Sequence, residues 1–121
     1  MMNYQVIDNY LPKDDFLKIK NTIDCDDSSF PWFYNKFLNN RDHGEMNNHF
    51  YFVHVLYNNN VVNSNYYDVV SPLIDKINPN ALMRVKVNGY PKNGDRIVNH
   101  NPHTDYDFEH KGAIFSLNTN N

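Results

Sequence analysis

Residues 81–90 read Ala-Leu-Met-Arg-Val-Lys-Val-Asn-Gly-Tyr, and this alternation is the strongest constraint in the chain. Met83, Val85 and Val87 fall on one side of an extended backbone, and Arg84, Lys86, Asn88 and Tyr90 on the other, because successive strand side chains point to opposite faces. On a helix the same residues would scatter around the circumference. The stretch therefore predicts a strand with one apolar and one polar face. A second strand is expected at 50–57. There Phe50, Tyr51, Phe52, Val53, Val55, Leu56 and Tyr57 form a nearly continuous apolar run bounded by asparagine clusters, the pattern of a strand covered on both faces.

Shorter segments fill out the plan. Tyr4, Val6 and Ile7 suggest a short first strand, Ile97 and Val98 begin another after the turn Pro91-Lys92-Asn93-Gly94, and 112–117 reads as a last one. Leu11-Pro12 opens a helix with Asp14 and Asp15 in its first turn, where the dipole favours acids. Phe16, Ile19 and Ile23 follow at i, i+3 and i+7 and should face a core. Residues 25–29 break that helix. Val69, Val70, Leu73, Ile74 and Ile77 predict a second helix, with Pro72 setting its regular start near Ser71 and Asn78-Pro79-Asn80 ending it. The aromatic run Phe30-Pro31-Trp32-Phe33-Tyr34 is expected to be an extended segment covering the core rather than a binding platform. Residues 39–48, polar and containing Gly44, are read as a loop.

At 121 residues the chain is expected to be a single domain, 1–121. Residues 1–80 would form supporting helices and strands, and 81–121 the first core strands of the main sheet. Nine Tyr and eight Phe argue against disorder. A net charge of -3, with basic residues scattered, shows no footprint for nucleic acid. Cys25 stands alone, which excludes an intrachain disulfide and makes a reducing compartment the default. No stretch has the length and apolarity of a membrane span, and the first residues do not resemble a leader. The expectation is a soluble, cytoplasmic protein. The 22 asparagines are read as turn and loop material, since Asn tolerates left-handed backbone; an AT-rich phage or bacterial genome would also favour them.

His103-Thr104-Asp105 carries the candidate chemistry. On a strand, residues two apart point the same way, so an imidazole and a carboxylate can grip one ion. Such a pair is two-thirds of a facial triad, which leaves open positions on iron(II) for cosubstrate and dioxygen. The spacing alone is common by chance, and His43-Gly44-Glu45 repeats it in a polar loop where solvated side chains are expected. His100, three residues before His103, is read first as a surface or hydrogen-bonding histidine and second as a substitute third ligand. Arg84 and Lys86 share a strand face with Asn88 and Tyr90; surface charges are the favoured reading, a carboxylate anchor the other.

The succession Val87-Asn88-Gly89-Tyr90, a Pro/Gly turn, Ile97-Val98 and His103-Thr104-Asp105-Tyr106 resembles the iron(II)/2-oxoglutarate-dependent dioxygenase superfamily. The likeness is to its prolyl-4-hydroxylase-like members, including small phage-type oxygenases. Val6-Ile7-Asp8-Asn9-Tyr10-Leu11-Pro12 and Ala113-Ile114-Phe115-Ser116-Leu117-Asn118 resemble the family's segments at the corresponding places. The resemblance implies a mainly β fold with N-terminal helices, a double-stranded β-helix of the jelly-roll, cupin-like kind. It implies Fe(II) held by His103 and Asp105, 2-oxoglutarate as cosubstrate held by Asn88 and Tyr90, and ascorbate as an auxiliary reductant. The family couples oxidation of 2-oxoglutarate to succinate and carbon dioxide with hydroxylation of a protein side chain or small molecule. For Tyr90 and Asn88 the alternative roles are core packing and turn shaping.

Complete members supply a second His some forty or more residues beyond the first and then an Arg or Lys for the distal carboxylate. After Asp105 this chain has only His110 and Lys111, too close in sequence to reach across a barrel. The expectation is a jelly roll incomplete at the C-terminus, inactive as a fragment and inclined to self-associate through exposed barrel edges. The competing expectation is a noncatalytic jelly-roll module, structural or binding. A zinc hydrolase finds no His-x-x-x-His helix to support it.

Overall fold

The computed structural model describes residues 4–35, 50–90 and 109–118. Helix α1 spans Lys13–Ile23, with Asp14 and Asp15 in its first turn and Lys20 in its last, all matched to the dipole. Its inner stripe is Ile19 and Ile23, both buried. Asp24 ends it, its N–H reaching Lys20 O at 2.8 Å. In the turn that follows, Ser28 takes a positive φ of 58° and the Asp27 carboxylate accepts the Ser29 N–H at 3.1 Å. The chain then runs through buried Phe30 into strand β1, Phe33–Asn35.

Strand β2, Tyr51–Asn58, is the middle of the sheet. It pairs antiparallel with β4, Arg84–Gly89, from Phe52 to Asn58. A strand has two edges, so β1 and β3 (Val61–Val62), which pair with the two ends of β2, share the other one. Asn59 and Asn60 join β2 to β3 with φ of 51° and 67°. Two left-handed residues make the hairpin turn whose twist suits flanking strands, which is why asparagine is tolerated there. Between β1 and β3 the edge is closed by Asn63, whose N–H donates to Leu56 O at 2.8 Å and whose amide donates to Val55 O at 3.0 Å.

The register of β2 on β4 slips between Val55, opposite Lys86, and Tyr57, opposite Val85. Leu56 is the extra residue of this bulge and is fully buried. Before the bulge His54 and Val87 face the helices; after it Tyr57 and Val85 do, and Tyr57 stacks on Tyr67 at 5.5 Å. The bulge thus keeps Tyr57 on the covered face beside the core. A 3-10 helix, Asn65–Val70, starts where the Ser64 hydroxyl accepts the Tyr66 N–H at 3.1 Å. Helix α2, Ser71–Ile77, follows with Pro72 in its first turn and closes on left-handed Asn78.

Leu11, Ile19, Ile23, Phe30, Leu56 and Val70 form one core between the helices and this face of the sheet. Each such side chain contributes roughly 1.5–3 kcal/mol by leaving water. The result is a small antiparallel sheet with two short α-helices, a mixed α/β fold. Among the described residues no helix is long and apolar enough to cross a membrane.

Two expected strands are absent. Residues 4–7 enter no strand, and Tyr4 and Val6 are 84% and 77% exposed. Residues 112–117 likewise enter no strand: Ile114 is 97% exposed while Phe115 meets Phe16 edge-on at 6.0 Å. That segment is anchored by side chains and by Lys20 Nζ donating to Leu117 O at 2.8 Å, so its alternating pattern needs no sheet neighbour. The second helix begins at Ser71, where Pro72 predicts its regular start, and Val69 and Val70 belong to the tighter 3-10 turn before it. The loop 39–48, the turn 91–94 and the strand at Ile97 and Val98 lie outside the described residues.

Candidate functional site

The sheet face turned away from the helices is built by strand alternation. Arg84, Lys86 and Asn88 of β4 project there, followed by Tyr90; Tyr51, Val53 and Val55 project there from β2. Neither β2 nor β4 contains an Asp or Glu. The face therefore carries two cations and several hydrogen-bond donors on strands that are themselves free of Asp and Glu.

Its side chains hold one another. Asn88 Nδ2 donates to Tyr90 Oη at 3.1 Å. The Tyr90 ring stacks on Tyr51 with centroids 5.6 Å apart and planes 19° from parallel. Asn35 Nδ2 donates to Tyr51 Oη at 3.3 Å, and Lys86 Nζ lies 5.8 Å from the Tyr51 ring centre. Tyr51 is the anchor, 4% exposed, whereas Tyr90 is 57% exposed. The core-packing alternative for Tyr90 does not hold at that exposure. Asn88 sits inside β4, and the turn at 91–94 that it could shape lies outside the described residues. Arg84 and Lys86 are half-buried, more enclosed than ordinary surface charges.

The bond from Asn88 uses a lone pair of the Tyr90 oxygen and fixes where the phenol points. Ammonium, amide and phenol donors on one rigid strand are the groups that bind a carboxylate.

Asn88 and Tyr90 are the two expected site residues that the structure describes, and it brings them together. His103 and Asp105 lie outside the described residues, as do His100, His43 and Glu45. Among the described residues no three His, Cys, Asp or Glu side chains gather into a metal-binding group. Tyr51 and Asn35 were not legible as site residues. Tyr51 sits in an apolar run, and only the register Asn35↔Tyr51 on β1 and β2 brings the asparagine beside it.

Two ionisable groups away from this face are perturbed. Burial, with smaller contributions from Tyr57, Asp75 and Asp68, raises the Tyr67 phenol above its usual range. Hydrogen bonds from the Ser29 hydroxyl, the Ser29 N–H and Cys25 hold the Asp27 carboxyl below the usual range.

Comparison with protein-family models, with curated proteins and with solved structures finds no match to this chain.

Proposed function

We propose that this chain is an iron(II)- and 2-oxoglutarate-dependent dioxygenase, a hydroxylase of a protein side chain or small molecule, built on a double-stranded β-helix. The observation that carries the reading is the pairing of Asn88 with Tyr90 on the sheet face away from the helices. In a barrel of this kind supporting helices lie outside and the reaction space inside. Asn88 and Tyr90 stand on the side that such an interior requires. Lys86 and Arg84 share that face of β4.

In this reading His103 and Asp105 ligate the metal, which with 2-oxoglutarate and dioxygen supplies the oxidising power. The chain's own task is placement. Asn88 orients the Tyr90 phenol, Tyr51 backs the ring, and the carboxylate is received by donors already held in position, so little ordering entropy is lost on binding.

Binding of radiolabelled 2-oxoglutarate to the chain, with iron(II) and without oxygen, tests the reading. A hydrogen bond to a charged group contributes about 1.5–3 kcal/mol, so Asn88→Ala and Tyr90→Phe should each weaken binding at least about tenfold. Iron should tighten it, and His103→Ala should remove that dependence. Equal affinity in all variants would refute the proposal. Binding that responds to Asn88 and Tyr90 but ignores iron and His103 would assign the face to a noncatalytic binding module instead.

A further inference from the structure

His54 belongs to the other face of the sheet and is only 7% exposed. Its Nδ1 lies 2.9 Å from Pro31 O. A carbonyl oxygen can only accept, so Nδ1 carries the proton and the lone pair of the neutral ring is on Nε2. The described residues give Nε2 no hydrogen-bond partner. A buried acceptor left in that state is costly, and it calls for a donor.

The ring also lines an open groove of about 400 Å³ at the gap between β1 and β3, next to the 3-10 helix. Aromatic rings frame the histidine. Phe30 lies 4.9 Å away beneath it, and Phe33 and Tyr66 present themselves edge-on at 5.6 and 5.7 Å. Pro31, Phe33 and Tyr66 form one part of the wall and Asn63, Ser64 and Asn65 another, and among the described residues no Asp, Glu, Lys or Arg lines the groove. Walls of this kind select a flat ring, and the lack of charge selects a neutral one.

We propose that this groove binds an uncharged planar ring that donates one N–H or O–H to His54 Nε2. The site is separate from the Asn88 and Tyr90 face and does not depend on the oxygenase reading.

Phenol and anisole serve as probes, since they share a ring and differ in the donor. Each is titrated into the full chain labelled with 15N at histidine, following the imidazole resonances. Phenol should shift the Nε2 resonance of His54 saturably and bind about fivefold more tightly than anisole, the worth of one net hydrogen bond. In His54→Phe, which keeps a ring and deletes both nitrogens, the two probes should bind alike. The comparison in the unsubstituted chain stands even if that variant fails to fold. Equal binding of the two probes there, absence of saturation, or shifts confined to other histidines would overturn the proposal.

Discussion

Tyr51 links the fold to the candidate site, and two substitutions separate its contributions. Tyr51→Phe keeps the ring and deletes the oxygen that accepts from Asn35 Nδ2 at 3.3 Å. One net hydrogen bond is worth about 0.5–1.5 kcal/mol, and its length places this one at the weaker end. Tyr51→Leu removes the ring as well. The stack on Tyr90 at 5.6 Å adds about 0.5–1.5 kcal/mol beyond area burial. Lys86, at 5.8 Å and near the limit of reach, adds about 0.5 kcal/mol. Because the side chain is 4% exposed, leucine also leaves unfilled volume. Tyr51→Phe should therefore cost about 0.5 kcal/mol and Tyr51→Leu about 2–4 kcal/mol. Urea titration followed by far-ultraviolet circular dichroism measures both. If Leu costs no more than Phe, the ring contacts contribute nothing and this account of the face is wrong.

Leu56→Ala, at the fully buried bulge, should destabilise the chain by about 3–5 kcal/mol, whereas Ile114→Ala, at a side chain 97% exposed, should stay within about 0.5 kcal/mol; equal costs in denaturant would mean that 112–117 is a buried strand after all. The Tyr67 phenol is raised in the folded state, chiefly by burial, so its contribution is complete below the unfolded value near 10 and is lost as pH rises through the higher folded value. Thermal midpoints of Tyr67→Phe should accordingly fall less steeply above about pH 10 than those of the unsubstituted chain, and parallel curves would count against it. Asp27 is held low, first by the Ser29 hydroxyl, so its contribution is present above the unfolded value near 4 and disappears as pH falls through the lower folded value. Asp27→Asn should flatten the acid limb, and an unchanged limb would remove the turn from the account.

The elements legible in the sequence are those whose signal is local. Ile19 and Ile23 fall on one helical stripe, and the alternation from Arg84 to Asn88 survives as a strand with two distinct faces. The asparagines read as turn residues include Asn59, Asn60 and Asn78, each with positive φ. What failed was pairing, which periodicity does not contain. Ala113, Phe115 and Leu117 alternate as a strand does, yet the Lys20 side chain and the Phe16–Phe115 ring contact hold the segment without a strand partner. The bulge at Leu56 was hidden because a uniformly apolar run looks the same with or without a slipped register. Within the candidate site, the shared face of Asn88 and Tyr90 was legible from spacing, since two residues apart on a strand means one face, whereas their part in binding rests on the resemblance alone. Tyr51 and Asn35 reach that face from other strands, and His54 is set apart from its apolar neighbours only by Pro31 O, 23 residues away.

The most direct test of the central claim is optical. Iron(II) and 2-oxoglutarate are added without oxygen to the folded chain, and the visible spectrum is recorded. A chelate on a protein-bound ferrous ion gives a weak charge-transfer band, which the account predicts for the unsubstituted chain and not for His103→Ala or Asp105→Ala. A folded chain that shows no band, or one that keeps it without those two side chains, would contradict the account.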